Sequence, residues 1–191
     1  MERDWRERLD DAHDAVLAWC EGRLWWPRAP LVLWCAWVGV EHLLDTDYAS
    51  WFGGLNLGIH EGGHVLFSFL GSEFLTTAGG TLLQCAAPVI AAWMFTRQPD
   101  YFATAFCGSW LSMNLYGVAT YMADARELDL PLVNIGGGDA DHDWNYMLAE
   151  LGLLQFDTTL ATFVRIGAFT LMWGSIAVMG WMLWRMGRSA A

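Results

Sequence analysis

Apolar residues along this chain come in long blocks rather than in short alternating runs. Residues 31–40, 78–95, 101–123 and 160–184 are nearly free of charge, Arg165 being the exception. Several of these blocks approach the roughly 20 residues a helix needs to cross a hydrocarbon core. The charges and turn formers between them predict spans at about 29–44, 51–71, 78–96, 101–123 and 160–186. Ahead of the spans, residues 3–26 place Trp5, Leu9, Ala12, Val16, Trp19 and Arg23 in steps of three and four. Arg and Asp fill the other faces, the pattern of an amphipathic helix. Trp25-Trp26-Pro27 then marks headgroup depth, where Trp is enriched. The expected fold is all-α: a polytopic membrane helix bundle of about five membrane-embedded helices behind an N-terminal interfacial helix. Residues 1–28 form that helix and 29–191 the membrane domain. Within the domain, 124–159 reads as a polar loop in which residues 144–154 form a short helix.

Composition supports this class and removes others. Of 191 residues, 55% are hydrophobic and 13 are Trp, more apolar surface than one soluble core of this size usually carries. Formal net charge is −11, and all ten basic residues are Arg, so there is no basic patch for nucleic acid. The expected partners are the lipid bilayer, together with a membrane-protein substrate or the other subunits of a complex. Cys20, Cys35, Cys85 and Cys107 are scattered without a CxxC spacing, which supports neither a disulfide framework nor a zinc knuckle. The first 14 residues are dense with charge and carry no apolar core of a secretory signal.

Arg3, Arg6, Arg8, Arg23 and Arg28 place the N-terminus in the cytoplasm. Five full spans leave Arg185 and Arg188 outside. A partial or broken second element instead puts Arg97, Arg185 and Arg188 inside, and Gly53, Gly54, Gly58, Gly62 and Gly63 are compatible with that irregularity.

The second block contains His60-Glu61-Gly62-Gly63-His64. Ionisable groups in a bilayer cost roughly 2.5–3.5 kcal/mol each when charged, so three within five residues demand a reason. On a helix, His60 and His64 share a face and can offer imidazole nitrogens to one metal ion. Glu61, one position round, can reach a water beside that ion. By chance alone the pattern arises on the order of once in two hundred such chains. The competing reading is a pair of histidines bonding between helices, with Glu61 as an ion-pair partner.

Catalytic zinc normally takes three protein ligands, and the motif supplies two. His142, in Asp139-Ala140-Asp141-His142-Asp143-Trp144, has the right chemistry, and acidic neighbours that could orient its ring. Asp124, at the end of the fourth span, is the alternative; His42, at the end of the first, is a third candidate. The acidic run 139–143 lacks the glycine and terminal glutamate of an EF-hand.

The stretch from Leu57 to Phe67 around the motif resembles the zinc-binding helix of site-2 protease-type intramembrane metallopeptidases. Gly79-Gly80-Thr81-Leu82-Leu83-Gln84, Pro88, Tyr121-Met122-Ala123-Asp124-Ala125-Arg126 and His142-Asp143-Trp144 are similar to a group of small, peptidase-like bacterial membrane proteins. The resemblance implies Zn2+ held by His60 and His64, Glu61 as general base, full spans and a bacterial inner-membrane location. It also implies an Asp in an Asn-Pro-Asp-Gly or Leu-Asp-Gly motif as third ligand; this chain has neither, and Asp124 or His142 must substitute. The leading functional expectation is therefore a membrane zinc metallopeptidase. A non-catalytic metal-binding subunit of a membrane complex is the alternative, and an ion or proton carrier a weaker one.

Overall fold

A computed structural model of the chain describes residues 4–130 and 142–189. Among the described residues every regular element is helical. The order is α1 Trp5–Cys20, α2 Ala29–Leu44, α3 Gly53–Ser68, α4 Glu73–Arg97, α5 Tyr101–Ala123 and α6 Asp143–Glu150. A 3-10 turn, Leu154–Phe156, then leads into α7 Asp157–Ser189. The all-α expectation is met, and α2 and α5 coincide with the first and fourth apolar segments.

Helix ends follow local chemistry. Pro30 lies in the first turn of α2, where its missing N–H costs nothing. Ser72 Oγ accepts from Leu75 N–H at 3.4 Å to start α4, and Asp100 Oδ1 accepts from Ala103 N–H at 3.0 Å to start α5. Gly22 and Gly152 take positive φ just beyond α1 and α6, the left-handed turn that ends a helix. The glycines of the second apolar block do not break it: α3 is one continuous helix. Its 16 residues give a length of about 24 Å, short of a core about 30 Å thick.

Among the described residues, two helices are long and apolar enough to cross a membrane: Glu73–Arg97 and the continuous rod Leu154–Ser189; Ala29–Leu44 is apolar but shorter. The expectation of about five membrane-embedded helices is therefore not confirmed. α5 has the length, but Ser109, Ser112 and Asn114 dilute its apolar character. The two long helices are not core helices covered by the rest of the chain. Only 17% of the apolar window of the first and 28% of that of the second is buried. Leu82, Val89, Ile90, Trp93, Phe163, Ile166 and Phe169 are left exposed along them.

The core lies where α2, α5 and α7 meet. Along α7 the buried positions Ala168, Met172, Ser175, Met179, Met182 and Met186 advance by alternating four and three residues, a coiled-coil-like seam. Cys35, Val38, Phe102, Met113 and Tyr116 pack against it. Small residues allow close approach. A Cβ on Gly39 would lie 3.2 Å from Met172 Cγ, and one on Gly108 would collide with Ser175 Oγ. α3 packs on α4, and α4 on α5, building a second layer beside this core. Beyond α5, Arg126 Nε donates to Asp157 Oδ2 at 2.7 Å and ties the chain leaving α5 to the start of α7. Gly136, Gly137, Gly138, Asp139 and Asp141 of the polar segment fall outside the described residues.

Candidate metal centre

α3 buries Asn56, His60 and Gly63, a stripe in steps of four and three that faces α4 and α5. Gly63 is where α3 and α4 cross. A Cβ there would lie 2.7 Å from Gly79 C and 2.8 Å from Gly80 Cα, so glycine is required for the backbones to meet. This contact sets His60 and His64 against the first half of α4, with ring centroids 4.7 Å apart.

Each imidazole is anchored through Nδ1 and presents Nε2. His64 Nδ1 is 2.9 Å from the carbonyl oxygen of Thr76, and His60 Nδ1 is 3.0 Å from Gln84 Oε1. A carbonyl only accepts, so His64 carries its hydrogen on Nδ1 and keeps a lone pair on Nε2 when neutral. Nδ1 anchoring of this kind is the usual support of a metal-ligating histidine.

The third group is Asp143. Its Oδ2 lies 2.9 Å from His60 Nε2 and 3.3 Å from His64 Nε2. Ligands at zinc bond lengths on a tetrahedron are about 3.3 Å apart, so the set fits a single small ion. Gly80 completes the fit: a Cβ at that position would lie 2.6 Å from both Nε2 atoms, in the space where they converge. Glu61, His60 and His64 offer atoms that all lie within 4.8 Å of one another. These three residues form a group that could hold a metal ion.

The sequence candidates for third ligand are placed differently. His142 caps α6: its Nδ1 accepts from Asn145 N–H at 3.1 Å. Its Nε2 faces Asp124 Oδ2 at 3.3 Å, an ion-pair contact without hydrogen-bond alignment. Asp124 is occupied as well, accepting from Asp129 N–H at 2.9 Å and Leu130 N–H at 3.2 Å. The two residues are joined to each other. His42 lies buried at the end of α2, stacked on Tyr116 with centroids 4.1 Å apart. These contacts do serve the site, because they fix the first turn of α6. Tyr121 OH accepts from Asp143 N–H at 3.1 Å, and Asn145 Nδ2 donates to Ala125 O at 2.7 Å. Asp143, the first residue of that turn, is thereby presented to α3.

Burial pushes the Asp143 carboxyl up, but the hydrogen bonds to His60 and His64 outweigh it and hold the group below its ordinary value. Burial is the main cause that lowers His142, against the opposing pull of Asp124. A cavity of about 940 Å³ reaches the centre from between α3, α4 and α5. Leu57, Val65, Met113 and Val118 supply apolar wall, and Asn56, Thr81 and Thr120 supply polar points. Its charged lining groups, Asp47, Glu61 and Asp143, are all acidic.

Asp143 had a signal in the sequence, an acidic residue beside a candidate ligand, but nothing there separated it from Asp139 or Asp141. Gln84 and Asn114 were visible only as lone polar residues within apolar blocks. Comparison with known proteins adds no family: no family model matches the chain, and no curated protein or solved structure matches it.

Proposed function

We propose that this chain is an integral membrane metallopeptidase-like protein in which His60, His64 and Asp143 hold a zinc ion and Glu61 is the general base. The observation that carries the reading is one carboxylate oxygen within 3.3 Å of two imidazole nitrogens from another helix. Two imidazoles and a carboxylate gathered this way are satisfied either by a proton on a ring nitrogen or by a metal cation among them, and the second arrangement is the one proposed here. Two imidazoles and a carboxylate suit zinc, and three protein ligands leave a fourth position for water or substrate.

Zinc bound there supplies Lewis acidity, which makes a water a nucleophile near neutral pH and polarises a carbonyl. The chain's own groups do the rest. Glu61, beside the ligand set, takes the proton from the attacking water and returns it to the leaving amine. The cavity admits an extended chain alongside α3, and its apolar wall limits water to the polar points near the centre. Exposed apolar faces on both long helices support burial of this site in a bilayer. The arginines of the first 28 residues favour a cytoplasmic N-terminus, with α1 lying at the interface. The resemblance to site-2 protease-type enzymes is consistent with this chemistry, with Asp143 where that class uses the aspartate of its own motif.

Purified protein in detergent should contain one zinc per chain, lost in His60→Ala and Asp143→Ala. With a membrane-derived peptide library, Glu61→Gln should keep the metal and lose cleavage. Zinc retention with undiminished turnover in Glu61→Gln would sink the role of Glu61. A metal that is bound while no peptide is cleaved by wild type would favour a non-catalytic metal-binding subunit.

A further inference from the structure

Pro88 lies inside α4. In a regular helix the N–H of residue 88 would bond the carbonyl of residue 84, and proline has none. The freed Gln84 carbonyl needs another donor. Asn114 of α5 supplies it, its Nδ2 donating to Gln84 O at 2.7 Å. Asn114 is fully buried, at 0% exposure, so solvent does not offer its amide an alternative partner.

This bond has consequences along a chain of groups. A carbonyl oxygen only accepts, which fixes the Asn114 amide with its nitrogen toward Gln84 O. Its Oδ1 is then the acceptor that meets the Gln84 side chain, and Gln84 Nε2 donates to it at 3.3 Å. That turns Gln84 Oε1 toward His60 Nδ1, 3.0 Å away. An amide oxygen also only accepts, so His60 carries its hydrogen on Nδ1. Its Nε2 is left with a lone pair directed at Asp143 Oδ2, 2.9 Å away. With the ring neutral, those two acceptors face each other across a place that a cation would fill.

We infer that Pro88, Asn114 and Gln84 form a positioning unit that selects the metal-binding tautomer and ring orientation of His60. The inference rests on the metal reading above and extends it. His64 gets the same setting directly from a backbone carbonyl, whereas His60 gets it from a side-chain amide that would be free to turn over without Asn114. The helix-breaking proline thus creates the fixed acceptor from which the whole order propagates.

The test uses the full chain in detergent and zinc alone as probe. Zinc affinity is measured by competition with a chromophoric chelator, and the His60 tautomer by imidazole 15N shifts of the zinc-free protein. Gln84→Met keeps side-chain length and removes the acceptor; it should weaken zinc roughly 10- to 100-fold and mix the His60 tautomers. Gln84→Glu keeps an acceptor facing Nδ1 and should restore both readouts to near wild type, a rescue that mere packing would not give. Asn114→Leu should shift the tautomer in the same direction as Gln84→Met. If wild type binds zinc and Gln84→Met binds it equally well with an unchanged tautomer, the positioning unit is overturned while the metal site stands. If wild type binds no zinc, the metal reading falls and takes this inference with it.

Discussion

Replacing Gly80 by Ala separates a metal site from a pair of histidines that merely bond between helices. The added Cβ would lie 2.6 Å from His60 Nε2 and 2.6 Å from His64 Nε2. Ordinary contact begins at 3.4 Å, so both rings must retreat by about 0.8 Å or the methyl occupies the point where they converge. Metal–ligand distances tolerate about 0.2 Å, a quarter of that displacement. Zinc affinity should therefore fall by at least about 100-fold, or about 2.8 kcal/mol. The clash involves ring atoms that face a cavity, so the helices themselves are not forced apart. Helix content and thermal unfolding should consequently change little. Gly62→Ala is the control within the same motif. Its Cβ meets nothing closer than Leu83 Cδ2 at 4.0 Å, and it should keep the metal while gaining some helix propensity. Chelator competition on detergent-purified protein reads the affinity, and circular dichroism reads the fold. Gly80→Ala binding zinc within about threefold of wild type, with wild-type helix content, would refute the placement of the ion.

His142→Ala should remove the α6 cap and cost about 1 kcal/mol of stability, yet retain one zinc per chain at saturating metal; loss of stoichiometry would make His142 a ligand after all. Gly63→Ala should behave oppositely to Gly80→Ala, because its Cβ meets the backbone of α4. There the unfolding midpoint should drop sharply, and an unchanged midpoint would contradict the close crossing of α3 and α4. Zinc affinity should weaken as pH falls, since a metal ligand must shed its proton to bind. A flat pH profile from neutrality to pH 5 would point to a site without histidine ligands.

Much of the fold was legible because charges and caps fall at the ends of apolar blocks. Asp45 closes α2 and Asp100 opens α5, and both helices match the expected spans, whereas α4, expected from residue 78, begins five residues earlier at Glu73. The long, charge-poor stretch after the polar loop likewise became α7, since nothing within it stops a helix. Within the site, His60 and His64 were legible from spacing alone, because four residues return to one face. The approach of Asp143 to the two imidazoles was not. It depends on how α6 docks, through Asp124, Tyr121 and Ala125, and no local pattern encodes that docking. The N-cap role of His142 was hidden for the same reason. The helical state of the glycines 53–63 was also hidden. Among them Gly63 makes the close approach to α4, and only tertiary contact distinguishes that from flexibility.

α6 is eight residues long and carries one of the three proposed ligands, while the other two ride on α3. Docking of α6 and metal affinity are therefore linked equilibria, each altering the other by the same factor. An ion present at 100 times its dissociation constant would hold α6 in place by about 2.7 kcal/mol. By the same reciprocity, any partner or lipid that draws α6 away lowers the affinity at a centre it never touches. A short helix thus gives the paired histidines a thermodynamic connection to whatever else binds α6.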